Sequence, residues 1–295
     1  MKRKAGLIKS PLRYPGGKSR AIQELRKFIP EEFSSFYEPM VGGGSMFIYI
    51  AQLRPDIPIH INDLNTDLYL FWKACKKSPE ELIKAVQQFK DDTKKGRELF
   101  VFLSKQIPSE ITELERGVRF FILNRITFSG TAESGGYSEK AFQTRFTQSS
   151  IDRLSRVSEI LTDRIKITNQ DYEEVLQFSD SESFTFLDPP YLSATKSRLY
   201  GKKGDLHISF DHQRFAKAVS LCKGKWLITY DDCDVVRGLF DFAHKHPWTL
   251  QYGMNNYKQT SCQPGRELML FNYSPRQQTN MYEEYPDQLV LLKLA

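Results

Sequence analysis

The sequence predicts an α/β protein, and three observations carry that prediction. Short apolar runs of strand length alternate along the chain with longer runs of helical spacing. A glycine cluster, Gly42 to Gly44, sits between the first strand-like run and the helical run after it. Acidic residues recur where strand-like runs stop, at Asp63, Asp171 and Asp188. Alternation of this kind favours a largely parallel sheet with helices packed on its faces.

Taken in order, "AIQELRKFIP" has helical spacing and a proline stop, and "SSFYEPM" reads as a short strand running into "VGGGSMFIYIAQL", a glycine turn followed by a helix. "IPIHIND" alternates as a second strand, ends at Asn62 and Asp63, and leads into the helical "TDLYLFWKACKK". Residues 79–160 are charged and helix-favouring with no strong strand, so they predict a helical insertion between catalytic segments 1–78 and 161–295. Strand patterns return in "RIKITNQDY", "SFTFLDPPY" and "KWLITYDD", and "WTLQYGMNNY" and "RELMLFNYS" predict a closing antiparallel hairpin across "KQTSCQPG".

A chain of 295 residues with 40% hydrophobic and 13% aromatic residues can bury a large core, which excludes a disordered protein. Cys75, Cys222, Cys233 and Cys262 are scattered, with no C-x-x-C pair and no histidine at ligand spacing, so reduced thiols and no metal are expected. The basic start lacks an apolar core of signal-peptide length, and no stretch reaches membrane-span length, so no membrane partner and a cytoplasmic protein are expected. The net charge is +6, but it is segregated. Residues 1–27, 84–166 and 192–204 together carry +16 and the remainder −10, an arrangement suited to a polyanionic partner.

In open α/β sheets, ligands collect beyond the carboxyl ends of strands. Glycines there let a backbone approach a ligand closely, and an acid after the second strand can accept hydrogen bonds from a ribose diol. "EPMVGGG" is followed by no Gly-Lys-Ser/Thr, and Phe47 stands where G-x-G-x-x-G needs its last glycine. ATP and nicotinamide are therefore disfavoured, leaving another adenosine-bearing ligand. In Asp188-Pro189-Pro190-Tyr191 the paired prolines withdraw two N–H donors and stiffen the backbone. A carboxylate and a carbonyl acceptor remain, which is what an exocyclic amino group needs. Tyr191 is placed to stack on the ring that bears it.

With these motifs in order ("PLRYPGGKSR", "EPMVGGGSMF", "IHINDLNTDL", "FFILNRITFSG", "NQDYEEVL", "FLDPPY" and "GRELMLFNY"), the chain resembles the Dam-type, DPPY-motif DNA adenine methyltransferases over nearly its whole length. The resemblance implies a Rossmann-like, S-adenosylmethionine-dependent methyltransferase sheet with an inserted, mainly helical DNA-recognition domain. It places Tyr14, Gly16, Gly17 and Lys18 by the methionine moiety of S-adenosylmethionine, with Glu38, Pro39 and the turn Gly42, Gly43, Gly44 beneath. Asp63 would hold the ribose, Asp171 and Tyr172 the cofactor's adenine, and Asp188, Pro189, Pro190 and Tyr191 the target adenine flipped from duplex DNA. The implied reaction is direct in-line methyl transfer, leaving S-adenosylhomocysteine.

The resemblance also implies that Arg125 contacts a phosphate or a base edge, with Lys140 and Arg145 as phosphate contacts. A cognate restriction endonuclease is a partner it allows. GATC-specific members carry an Asn-Gly step followed by a basic residue where this chain reads Phe128-Ser129-Gly130-Thr131-Ala132-Glu133, so GATC specificity does not follow. Methylation of cytosine's amino group presents the same chemistry, although such enzymes more often carry Ser in place of the motif's Asp. RNA as substrate and a non-catalytic nucleic-acid binder stay open as alternatives, the latter opposed by the intact Lys18, Asp63 and Asp188 to Tyr191. Asp232 is open between a structural role and shaping the base pocket, and the oligomeric state is open too.

Overall fold

The computed structural model describes residues 6–14, 16–132, 134–192, 210–250 and 265–275. Seven strands form one mixed sheet: β1 Ser35–Glu38, β2 Ile59–Asn62, β3 Ile165–Thr168, β4 Ser183–Leu187, β5 Lys225–Asp231, β6 His244–Leu250 and β7 Gly265–Phe271. Their spatial order is β3-β2-β1-β4-β5-β7-β6. β1 to β5 run parallel to one another, while β7 runs antiparallel between β5 and β6. The chain starts in the middle, winds outward to β3, and then returns to β4 on the other side of β1. That reversal opens a crevice between the carboxyl ends of β1 and β4, where a ligand finds room between diverging loops.

The helices are α1 Ile22–Leu25, α2 Ser45–Leu53, α3 Thr66–Lys77, α4 Pro79–Asp92, α5 Gly96–Lys105, α6 Glu113–Ile126, α7 Glu139–Arg145, α8 Gln148–Ile160, α9 Tyr172–Leu176, α10 His212–Ser220 and α11 Asp234–Leu239. Local chemistry sets their starts. Asn65 caps α3 through Leu68 N, Pro79 opens α4, and Thr112 with Glu115 forms a capping box on α6. Residues 79–160 are helical apart from short turns and one isolated bridge, Thr127 to Tyr137.

Two apolar cores follow from the two sheet faces. Phe36, Ile59, Ile61, Phe184 and Phe186 pack with α2, α3, α6 and α8, while Leu187, Ile228, Tyr230 and Leu268 pack with Phe215, Val219, Val236 and Phe240 of α10 and its surroundings. The helical segment therefore shares its core with one sheet face. Asp67 of α3, almost fully buried, reinforces that union by accepting from Arg116 Nε at 2.6 Å and Arg119 Nη1 at 3.3 Å, both on α6. A carboxylate in that setting is tolerable only because two guanidiniums meet it.

Two expectations are corrected. β3 ends at Thr168, so Asp171 is not a strand end; it caps α9, accepting from Glu173 N at 3.0 Å. β6 begins at His244 and contains Pro247, which is compatible with its place at the edge of the sheet, where proline is tolerated. The rest of the expected strand, 251–257, and the connection "KQTSCQPG" lie outside the described residues, as does most of the basic segment 192–204.

Candidate active site

The crevice is a cavity of about 570 Å³. The glycine turn between β1 and α2 forms its floor. Gly42 has φ +46°, and a Cβ there would come within 2.8 Å of Tyr14 Cε1, so both the backbone angle and the close tyrosine require glycine. Asp63 fastens this turn to the end of β2: Oδ2 accepts from Gly42 N and Oδ1 from Asn65 N, each at 2.9 Å. Asn62 fastens the third loop, donating to the carbonyls of Pro39 and Gln170 at 2.9 Å while its Oδ1 accepts from Gln170 N and Thr168 Oγ1.

Two acids stand in this floor, Glu38 buried and Asp63 half-buried. Glu38 Oε2 accepts from Phe47 N at 2.7 Å in the first turn of α2. Burial holds its carboxyl well above the usual range, the Phe47 amide opposes this, and the nearby charges of Asp188 and Asp63 add to it. Burial also pushes Asp63 up to about 6, against the lowering pull of the Asn65, Gly42 and Leu64 amides.

Asp188 follows β4 directly. Lys18, only 4% exposed, donates to Asp188 Oδ1 at 2.6 Å, to Oδ2 at 2.7 Å, and to Gly16 O at 2.9 Å. Thr229 Oγ1 of β5 adds a bond to Oδ1 at 2.8 Å. Oδ1 thus takes two donors from these partners and Oδ2 one, which leaves Oδ2 with acceptor capacity. The Tyr191 ring stacks on Tyr230 with centroids 5.8 Å apart, Lys18 Nζ lies 5.0 Å from its centroid, and its hydroxyl donates to Glu267 Oε2 at 2.5 Å.

At the third loop, Arg214 of α10 grips Asp171 with both terminal nitrogens, Nη2 to Oδ1 at 2.8 Å and Nη1 to Oδ2 at 3.1 Å, while Nε pairs with Glu173. Its guanidinium lies 5.2 Å from the centroid of Tyr172. Tyr172 Oη is buried with no hydrogen-bond partner among the described residues, and burial pushes this phenol up to about 12. An orphaned hydroxyl on a residue that lines a cavity is a place for a ligand atom.

Every residue expected at the catalytic or cofactor site, from Tyr14, Gly16, Gly17 and Lys18 through Glu38, Pro39, Gly42, Gly43, Gly44, Asp63, Asp171 and Tyr172 to Asp188, Pro189, Pro190 and Tyr191, lines this one cavity. The three expected DNA contacts lie elsewhere. Lys140 and Arg145 are exposed on α7. Arg125 is 5% exposed, donating from Nε to Arg145 O at 2.9 Å and from Nη1 to Pro11 O at 3.0 Å. Burial, reinforced by Arg13, Arg153 and Arg145, lowers its pKa to about 9. This placement turns Nε and Nη1 to interior carbonyls. Asp232 pairs with Arg237, Nε to Oδ1 at 2.5 Å, and is not among the cavity's lining residues, so the structural role fits it.

Sequence reasoning did not single out Thr229, Arg214 or Glu267. Glu267 alone left a signal, an acid inside the apolar run "RELMLF". Thr229 and Arg214 look like ordinary strand and helix residues until the fold brings Thr229 to Asp188 and Arg214 to the cavity.

A sequence model of the D12 class N6 adenine-specific DNA methyltransferase matches residues 14–254. The chain is 27% identical over 228 residues to a type II methyltransferase of Methanocaldococcus jannaschii, covering 71% of this chain and 78% of that protein. It is 25% identical over 213 residues to a type II methyltransferase of Lactococcus lactis subsp. cremoris, covering 69% and 70%. It is also 25% identical over 187 residues to a DNA adenine methylase of Haemophilus influenzae, covering 61% and 63%.

Proposed function

The chain belongs to the D12 class of N6 adenine-specific DNA methyltransferases, and we propose that its switch-point cavity holds both S-adenosylmethionine and the target adenine. The residues fit such a donor. The cavity has the size of a small-molecule site. Asp63 has carboxylate oxygens for a ribose diol, the Gly42 to Gly44 turn allows a close backbone approach, and the unpartnered Tyr172 hydroxyl with Asp171 suits the adenine. Tyr14, Gly16, Gly17, Lys18, Glu38 and Pro39 line the part assigned to the methionine moiety. When bound, S-adenosylmethionine supplies an electrophilic methyl group on a cationic sulfur.

The chain's own contribution is positioning and electrostatics. Asp188 Oδ2 accepts one hydrogen of the adenine amino group and the Pro189 carbonyl the other, which aims the nitrogen lone pair away from both. Lys18 and Thr229 hold the carboxylate in one orientation. The Asp188 charge offsets the positive charge that builds on the amino nitrogen, and the surplus proton leaves along the same hydrogen bond. Tyr191 packs against the base after it leaves the duplex, because a stacked amino group cannot reach the donor.

Residues 79–160 are assigned as the target-recognition segment, with Lys140 and Arg145 as phosphate contacts and Arg125 as an internal brace. Relatives named as type II methyltransferases support a restriction-modification setting in which a cognate endonuclease reads the same site. Among the described residues no helix is long and apolar enough to cross a membrane, which is compatible with work on DNA in the cytoplasm.

One observation carries the reading: the acceptor-bearing Asp188 and the Asp63-fastened glycine turn open onto a single cavity. Its test is transfer of labelled methyl from S-adenosylmethionine to unmethylated genomic DNA, with nucleoside analysis and mapping of modified positions. The expected outcome is N6-methyladenine at one recurrent short sequence. A folded protein that binds the donor and transfers nothing to DNA would overturn the reading.

A further inference from the structure

Glu267 is an acid in the middle of β7, 2% exposed, between Arg266 and an apolar run. Its oxygen takes the Tyr191 hydroxyl at 2.5 Å. The register adds an independent observation: Glu267 stands directly opposite Asp231 of β5. Directly opposed residues of antiparallel strands point to the same face, so the two acids share one side of the sheet. Asp231 Oδ1 accepts from Leu192 N at 3.1 Å. The two acids thus hold the hydroxyl of Tyr191 and the amide of the next residue. Thr229, two residues before Asp231 and so on the same face of β5, holds Asp188. The motif after β4 is therefore fixed at both ends by side chains from one face of β5 and β7.

We propose that Glu267 is a positioning residue for the methyl transfer reaction: by fixing the Tyr191 hydroxyl, with Asp231 holding the following amide, it sets the ring plane against which the flipped adenine is held. This rests on the assignment of Asp188 to Tyr191 as the base site. The Tyr191 ring is stacked on Tyr230 with Lys18 near its face, and its hydroxyl is tied to Glu267. With that tie lost, the ring can rotate about its side-chain torsions, and the base it supports loses its alignment with Asp188.

The test is a double-mutant cycle on Glu267→Leu and Tyr191→Phe, with Glu267→Gln as the conservative variant that keeps an acceptor. Each of the first two is expected to lower kcat/KM for DNA by about three- to tenfold, the worth of one hydrogen bond. The double variant is expected to be no worse than either single, because both remove the same bond. Glu267→Gln should retain most of the activity, S-adenosylmethionine affinity should hold in all four, and 2-aminopurine at the target position should report a changed base environment in the impaired ones. Losses that multiply in the double variant overturn the proposal, as does a Tyr191→Phe enzyme with unchanged kcat/KM. If Glu267→Leu does not fold, Tyr191→Phe and Glu267→Gln decide alone. A wild-type protein that transfers no methyl group to DNA removes the base-site assignment as well, whereas wild-type transfer with independent losses removes only the role of Glu267.

Discussion

Lys18 and Arg125 are cations at nearly equal depth, 4% and 5% exposed, and they have opposite surroundings. Lys18 meets the Asp188 carboxylate at the wall of a cavity. Arg125 meets the carbonyls of Pro11 and Arg145, and the charges that act on it belong to Arg13, Arg153 and Arg145, all of its own sign. Burial of a charge therefore does not mark a reactive site. What separates the two is whether the charge leaves acceptor or donor capacity facing open volume. Asp188 keeps a free acceptor in the cavity, whereas Arg125 ties the N-terminal segment at Pro11 to the end of α7 at Arg145.

The comparison breaks most visibly at Asp188. Asp188→Ala should abolish methyl transfer while the protein still folds, and Asp188→Asn should lower it by at least about a hundredfold, since the loss of one preorganised charge partner has that order of effect. Both variants carry a second cost, because Lys18 is left buried without its counter-charge, typically about 3–5 kcal/mol for a broken interior pair. Asparagine keeps an oxygen acceptor for Lys18, so it should lose less stability than alanine while still lacking the charge. Single-turnover transfer measured beside a melting curve checks both, and ordinary turnover in a well-folded Asn variant would remove Asp188 from the reaction.

Arg125 should fail in the other currency. Replacing it with Met strips two interior carbonyls of their donor, and an unsatisfied buried polar group costs about 1–3 kcal/mol. The expected result is a lower denaturant midpoint with the salt dependence of DNA binding unchanged. Arg145→Ala is the contrast: stability within about 0.5 kcal/mol, and a salt slope shallower by about one. If Arg125→Met instead flattens the salt slope and leaves stability intact, Arg125 is a phosphate contact and the contrast with Lys18 collapses.

The helix over 66–77, the glycine turn, and six of the seven strands are legible because each rests on local periodicity or punctuation. "TDLYLFWKACKK" coincides with α3 to the residue. The strand-like run "WTLQYGMNNY" starts four residues after β6 begins, and the edge position that accommodates Pro247 shows only in the sheet order. At the site, the cavity-lining residues were legible through motif order, but their partners were not. The contacts of Asp188 with Lys18 and Thr229, and of Tyr191 with Glu267, span 170, 41 and 76 residues along the chain, and the β1/β4 reversal with the β5/β7 pairing decides them. The surroundings of Arg125 are hidden for the same reason: a basic residue looks alike from sequence whether its guanidinium meets water or carbonyls.

The smallest expected effect sharpens the comparison within the cavity itself, between Asp63, pushed up to about 6, and the Asp63→Asn variant. A raised carboxyl pKa means that the folded protein holds this proton more tightly than the unfolded chain, whose carboxyl stays near 3.8. The stabilisation it contributes to the ligand-free protein is therefore fully present below about pH 4 and is lost as the pH rises through about 6. A ribose diol that donates hydrogen bonds needs the ionised carboxylate, so S-adenosylmethionine affinity should run the other way: full above about pH 6 and falling by up to about tenfold per unit below it. Calorimetric titration between pH 5 and 8 checks the affinity limb, and melting curves over the same range check the stability limb. Asp63→Asn should flatten both. A wild-type affinity that does not change across that range would refute the ribose assignment, and a slope that survives in Asp63→Asn would transfer it to Glu38, whose carboxyl burial raises in the same direction.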